Sequence, residues 1–350
     1  MKVAIGPLTN KLGATGRITQ KIVKYSTKEV IPFSPLFYYK YLERFATKAG
    51  IKIYDPYGFY LSYRYLQNFD IIHFMNHPLY REVHFRPSNP VSKYVYRIPG
   101  FYKSYIKPSQ RNYHLYKKLD DWMIDSCKSC DCIIVGNSWF QNYLKKNYNL
   151  DSIIVNNGID TKLWASGISE RFSKNYNIKS NFCLFAGRLS PEKGPDFFVH
   201  LAREMPDLQF VMIGPQITRP NVENYLKASI PQNLFCLGRL SGKDLHDCFN
   251  SAGILINPAK SKYGGNVILE AMASKTIPIV SVESSDDPLW FEPFSEGLTY
   301  EHNNLQDCIK MLRYAIDNSL MSNNAYKKIL THYDWSIVIK KYDEIYDGLA

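Results

Sequence analysis

The stretch that most constrains the fold is Phe185 to Gly194, FAGRLSPEKG. Asn181 to Ala186 before it is a short apolar run of β-favouring residues, which predicts a buried strand. Asp196 to Met205 after it carries Phe197, Phe198, Leu201 and Ala202 at helical spacing. Strand, tight glycine-containing turn and helix therefore follow one another. Two cations, Arg188 and Lys193, stand in that turn. Unpaired amides and the positive end of a helix dipole favour an anion at such a place. A guanidinium fork beside a point-charge ammonium suits a diphosphate. The alternative is a solvated turn with two surface charges.

The same alternation recurs along the second half. Strands are predicted at Phe182–Phe185, Phe210–Ile213, Leu234–Leu237, Gly253–Ile256 and Ile277–Val280, with helices between them. Alternation at this spacing makes a parallel, doubly wound sheet, whose ligands sit beyond the carboxyl ends of the strands. Those ends carry Gly187-Arg188, Gly214-Pro215, Gly238-Arg239 and Asn257-Pro258. A second signal is GGNVILEAMA: Gly264 and Gly265 enter a helix through Asn266, Val267 and Ile268, and Glu270 interrupts an apolar run. A buried carboxylate needs partners, and two neighbouring hydroxyls of a ribose would supply them. A helix-dipole role explains the charge of Glu270 but not the glycine pair.

The first half reads as a second α/β unit. Val3–Ile5 is a strand, followed by Gly13 and Gly16 entering a helix at Ile18–Lys24. Tyr38–Ala49 is a helix and Ile51–Tyr54 a strand; Asp70–Phe74 and Tyr94–Ile98 are further strands. Leu119–Cys127 and Trp139–Lys146 are helices flanking a strand at Cys132–Val135. His73 and His77, at and beyond the end of DIIHF, are most simply core or loop residues, with a catalytic part as the sharper reading. The strand at Ile153–Val155 runs into an Asn-Gly turn, which with Thr161–Gly167 marks the crossover between domains.

A chain of 350 residues supports two such cores. No apolar run approaches the about 18 residues of a membrane span. The start, MKVAIGPLTN, has the look of a first strand rather than a secretory leader. Seven scattered cysteines argue against a disulfide framework and for a reducing, cytoplasmic setting. Cys127, Cys130 and Cys132 cluster without a fourth ligand, so packing is preferred there to zinc. The net charge of +11 is uneven: Met1 to Ala165 holds 24 Lys and Arg against 11 Asp and Glu. An anionic partner for the first half follows, and nucleic acid is disfavoured because no recognition motif of that class is present. FYKSYIKPSQRNYHLYKK, Phe101 to Lys118, interleaves tyrosine with lysine and suits peripheral contact with an anionic membrane. A solvated helix with inward tyrosines is the plainer reading.

Taken together these residues resemble the retaining, nucleotide-sugar-dependent glycosyltransferases of family 4, over nearly the whole chain. GRLSPEKGPD matches the family's phosphate-binding segment, which implies that Arg188 and Lys193 hold the donor's diphosphate. ILEAMAS matches the segment whose Glu binds the nucleotide ribose, here Glu270. VNNGIDTKLW is similar to the hinge, and DWSIVIKKYDEIY to the terminal helix that crosses back, with Trp335 and Tyr346 in place. Gly16 falls on the glycine that faces the phosphates. The resemblance implies a GT-B fold, an α/β architecture of two Rossmann-like domains facing across a cleft. Its expected domains are 1–163 plus 333–350 for the acceptor and 164–332 for the donor.

Two positions depart from the family. Its second Glu, eight before the ribose-binding one, is Lys262 here, and its His after the YVYRI strand is Pro99. Both lie on the sugar side of the implied site. Lys262 would meet an acidic sugar or a phosphate oxygen, and His77 would stand in for the missing His. The base is expected between Gly214 and Gly238 near Arg239, and the acceptor near His77, Arg97 and Tyr102. The chain has no Asp-x-Asp, the usual metal clamp for a nucleotide diphosphate, so no metal or other cofactor is expected. The implied reaction moves a hexose from a nucleotide-diphosphate sugar to a glycan or lipid-linked acceptor with retention. A non-catalytic nucleotide-sugar-binding subunit and a sugar-nucleotide epimerase of the same fold are the alternatives.

Overall fold

The computed structural model describes residues 1–6, 14–33, 66, 68–75, 92–98, 113–215, 230–259, 265–283 and 290–350. They form two compact units, Met1–Asn157 with Trp335–Ala350, and Gly158–Asp334. The expected helix at Tyr38–Ala49 and strand at Ile51–Tyr54 lie outside the described residues, as do Gly13, His77, Pro99, Tyr102, Lys262, Gly264 and the membrane-directed tract up to 112.

In the first unit six described strands pair in parallel: β1 (Lys2–Gly6), β2 (Glu29–Pro32), β3 (Ile71–Met75), β4 (Lys93–Arg97), β5 (Cys132–Val135) and β6 (Ile153–Ile154), in the order β2-β1-β3-β4-β5-β6. β3 is buried along its whole length, as a central parallel strand must be. The helices α1 (Ala14–Tyr25), α2 (Tyr113–Lys128) and α3 (Ser138–Tyr148) accompany them. Asn137 caps α3 by accepting from the Phe140 amide, and Asn149 closes it in the left-handed region. Cys127 and Cys132 are buried, and burial, helped by Asp131, pushes the Cys132 thiol up to about 11. The strand Glu29–Pro32 was not expected from the sequence; its four residues carry one buried side chain and show no alternation.

The second unit begins with α4 (Thr161–Trp164) and α5 (Ser169–Tyr176). Its strands are β7 (Phe182–Ala186), β8 (Phe210–Ile213), β9 (Leu234–Gly238), β10 (Ala252–Asn257), β11 (Ile277–Val282) and β12 (Leu298–Glu301). They pair in parallel in the order β12-β11-β10-β7-β8-β9. Between them run α6 (Pro195–Glu204), α7 (Gly242–Ser251) and α8 (Asn266–Ala273), and α9 (Leu305–Asp317) and α10 (Met321–Lys328) follow. The strand order reverses between β7 and β10. In an open α/β sheet the crevice at such a reversal, beyond the carboxyl ends of the strands, is where ligands bind.

The units are divided after Asn157 and after Asp334 rather than near 163 and 332. Ile159 explains the first difference: it is buried in the second unit's core, in one cluster with Trp164, Phe172 and Phe249. The two connecting segments pair with each other. The Ile159 amide donates to the Tyr333 carbonyl at 2.8 Å, and the Thr161 hydroxyl donates to Asp334. The final helix α11 (Trp335–Leu349) then completes the first unit's core with Trp335, Val338, Ile339, Tyr342, Ile345 and Tyr346. That spacing is a single helical stripe.

Candidate functional site

Four of the five residues of β7 are buried, and the chain leaves the sheet at Gly187. The Gly187 amide donates to the Ile213 carbonyl at 3.0 Å, and the Gly214 amide to the Gly238 carbonyl at 2.8 Å. Gly214 holds φ +148, and a Cβ on it would lie 1.7 Å from the Gly187 carbonyl oxygen. Only glycine permits that approach. The tips of β7, β8 and β9 are thereby locked together, and the exposed Arg188 and Arg239 follow Gly187 and Gly238 directly in the chain.

From Arg188 the backbone turns sharply. Ser190 donates to the Arg188 carbonyl, and Lys193 to the Ser190 carbonyl, both at 2.9 Å. Pro191–Lys193 forms one 3-10 turn, and Gly194 in the left-handed region, φ +66, delivers the chain into α6. A Cβ on Gly194 would come within 2.9 Å of the Pro258 carbonyl oxygen. The turn after β7 therefore rests on the tip of β10, across the point where the strand order reverses. Arg188 is exposed and Lys193 half-buried. Burial, and then the neighbouring Arg188, push the Lys193 ammonium below its ordinary value, with Glu192 opposing. Two like charges beside the start of a ten-residue helix are an arrangement whose electrostatics favour an anion.

The loop after β10 enters α8 at Gly265, where no side chain caps the helix. Ile268, Leu269, Ala271, Met272 and Ala273 are buried, whereas Asn266, Val267 and Glu270 are half-buried. Glu270 thus sits on the edge of the helix's apolar face rather than inside the core. The structure knits Gly187, Arg188, Lys193, Gly214 and Gly238 into one hydrogen-bonded rim, with Arg239 next in the chain; Gly265 to Glu270 follow the adjoining strand β10.

Residues 168–330 match the family model described as glycosyl transferases group 1, and the matched region lies inside the second unit. A processive diacylglycerol alpha-glucosyltransferase of Acholeplasma laidlawii is 22% identical over 259 residues, 69% of this chain and 76% of that protein. An uncharacterised glycosyltransferase of Methanocaldococcus jannaschii is 23% identical over 225 residues, 63% of this chain. The alignment spans 60% of that relative's length, less than two thirds. Sucrose-phosphate synthase of Thermosynechococcus elongatus superposes with a TM-score of 0.77 at 13% identity, covering 99% of this chain and 98% of its own. Anabaena HepE, in complex with UDP and glucose, gives 0.75 at 12% identity, covering 99% and 100%. The matched region is thus that of a group 1 glycosyl transferase, and the chain has the GT-B fold of these structures.

Of the residues expected at the site in the first unit, Gly16 is buried in the first turn of α1. Arg97 is placed inside the unit. Its Nη1 donates to the Val155 carbonyl at 2.9 Å and to the Tyr342 hydroxyl at 2.6 Å, and its Nη2 to Asn157 Oδ1 at 2.9 Å. That guanidinium ties β4 to α11 and to the last residue before the crossover. His73 is fully buried, 2.7 Å from the Tyr346 hydroxyl through Nδ1. Burial, and then Arg97, lower it to about 3, so it is neutral. Sequence reasoning passed over Ser190 and Glu192, whose side chains meet at 2.6 Å in the turn between the two cations. The available signal was the Glu-Lys-Gly run itself, which sets a carboxylate directly against Lys193.

Proposed function

We propose that this protein is a glycosyltransferase that moves a hexose from a nucleotide-diphosphate sugar to a glycan or lipid-linked acceptor, with retention and without a metal. The observation that carries the reading is the locked glycine rim that sets Arg188 and Lys193 over the strand reversal. There the departing diphosphate would meet two cations and a helix N-terminus already in place, which is electrostatic preorganisation. Removing one such group costs on the order of 10²–10³ in rate. Glu270, half-buried at the edge of α8, is the partner for the ribose hydroxyls. The acceptor is assigned to the basic first unit, whose Phe101–Lys118 tract would bring the protein to an anionic membrane surface. No helix among the described residues is long and apolar enough to cross a membrane. The HepE structures hold UDP and glucose, so UDP-glucose is the first donor to test.

The deciding experiment is a thermal-shift screen against UDP, GDP, ADP and their sugars, with and without EDTA. Ligand at 100 times its dissociation constant should stabilise the native state by about 2.7 kcal/mol. Arg188→Ala should abolish the shift, EDTA should leave it intact, and the product's anomeric configuration, read by NMR, should match the donor's. Lys262 and Pro99 favour one rival, a non-catalytic subunit. It would bind the nucleotide sugar and release no diphosphate with any acceptor. Epimerisation of the donor without an acceptor would establish the other rival.

A further inference from the structure

The turn that presents the two cations also holds a carboxylate. Glu192 Oε1 accepts the Ser190 hydroxyl at 2.6 Å and faces Arg188 Nη2 at 3.5 Å. Arg188 and Glu192 are four apart in sequence, but no helix brings them together. Ser190 is extended, φ −134 and ψ 151, and the 3-10 turn folds Glu192 back toward Arg188. Burial alone would raise this carboxyl; the Ser190 hydroxyl, the backbone amide, Arg188 and Lys193 together outweigh it and hold Glu192 below its ordinary value. Three charges therefore share one short turn, two of one sign and one of the other. Both ends of the Arg188–Glu192 pair are about half exposed, at 54% and 45%, so water competes for each of them.

Resting on the reading of the rim as a diphosphate site, we propose that Glu192 is the resident counter-ion of Arg188 and Lys193, displaced when the donor's diphosphate arrives. In the empty protein the carboxylate relieves the repulsion between the cations and holds the guanidinium over the tip of β7. A diphosphate carries more charge and more acceptor oxygens, and so takes both cations from it. Once the nucleoside diphosphate product is formed, Glu192 competes for Arg188 again and favours release. Glu192 is a positioning residue that acts through Arg188.

The test is calorimetric titration of inorganic pyrophosphate and of UDP into the native protein, Glu192→Gln and Glu192→Ala, at low and high salt. Glutamine keeps the size and the acceptor for Ser190 while removing the competing charge. Glu192→Gln is expected to bind pyrophosphate about two- to five-fold more tightly at low salt, the yield of an exposed ion pair. The gain should shrink as salt screens the pair, and should vanish when Arg188→Ala is combined with it. Glu192→Ala, which also frees Ser190, should shift affinity in the same direction. Unchanged or weaker pyrophosphate binding in both variants, with the native protein binding normally, overturns the counter-ion role and leaves the diphosphate reading standing. A native protein that binds neither pyrophosphate nor any nucleotide overturns both.

Discussion

Replacing Gly214 with alanine tests the architecture of the rim directly. The new Cβ would stand 1.7 Å from the Gly187 carbonyl oxygen, whereas ordinary contact begins at 3.4 Å. The obstacle is backbone, which no side-chain rotation relieves. The tips of β7 and β8 must part, and the amide bonds from Gly187 to Ile213 and from Gly214 to Gly238 are strained or lost. Two backbone hydrogen bonds at about 1 kcal/mol each, with backbone strain of similar size, give a loss of about 2–4 kcal/mol. For a unit of this size that lowers the melting temperature by roughly 5–15 °C.

Gly242→Ala is the matched control. Gly242 also has positive φ, +57, but a Cβ there meets nothing within 4 Å. It should cost only the left-handed backbone penalty, about 1 kcal/mol. UDP affinity separates the two further. Arg188 follows Gly187 in the chain, so parting the tips moves its guanidinium, and one lost charged hydrogen bond weakens binding by at least about ten-fold. Gly242→Ala should bind as the native protein does. If both variants melt together and bind alike, the close approach of β7 and β8 does not organise the site and the reasoning fails.

Two further predictions concern the first unit. Tyr342→Phe removes an acceptor from the buried Arg97 guanidinium and leaves one N–H unpaired, at a cost of about 1–3 kcal/mol measurable by urea denaturation; a change below about 0.5 kcal/mol would show that the bond is idle. His73 takes up its proton near 6.5 in the unfolded chain and near 3 in the folded one, so the unfolded state binds more protons between those values. Stability should therefore be unaffected above about pH 6.5 and fall as pH drops toward 3, by up to about 4–5 kcal/mol in all. Denaturation from pH 7 to 4 should show that slope in the native protein and lack it in His73→Gln.

The second unit was nearly legible in the sequence because its central strands are mostly buried and read as short apolar runs. β7, β8, β10 and β11 lie within two residues of their expected positions. β12 escaped because Leu298–Glu301 alternates buried and partly exposed residues over only four positions. Within the rim, residue types revealed Gly187, Arg188, Lys193, Gly214 and Gly238, since glycine beside cations has few other uses. The sequence could not show which glycine is indispensable. Gly214 and Gly238 both have positive φ, yet only Gly214 has a backbone neighbour where its side chain would go. Arg97 looked available for an acceptor because a terminal strand Arg reads the same whether it faces solvent or core. Its three partners come from Val155, Asn157 and Tyr342, residues distant in sequence, and nothing local announces them.

Those distant partners also bear on how the chain selects its last helix. An apolar stripe on α11 would be satisfied by many apolar surfaces, since burial has no direction. The polar groups on the same helix are not so permissive. Tyr342 must reach Arg97, Tyr346 must reach His73, and Asp343 must accept from Ser26 and from both the amide and the hydroxyl of Thr27. A shift of one residue along the helix would rotate all three side chains by about 100° and leave one N–H of the buried Arg97 guanidinium and the buried Asp343 carboxylate unpaired. The register of α11 is therefore fixed by charge and hydrogen bonding, while its attachment is driven by tyrosine and aliphatic burial. Because α11 begins at the residue after Asp334, and Asn157 closes the same lattice, both connections between the units are anchored at their first-unit ends by one buried guanidinium and the helix it holds.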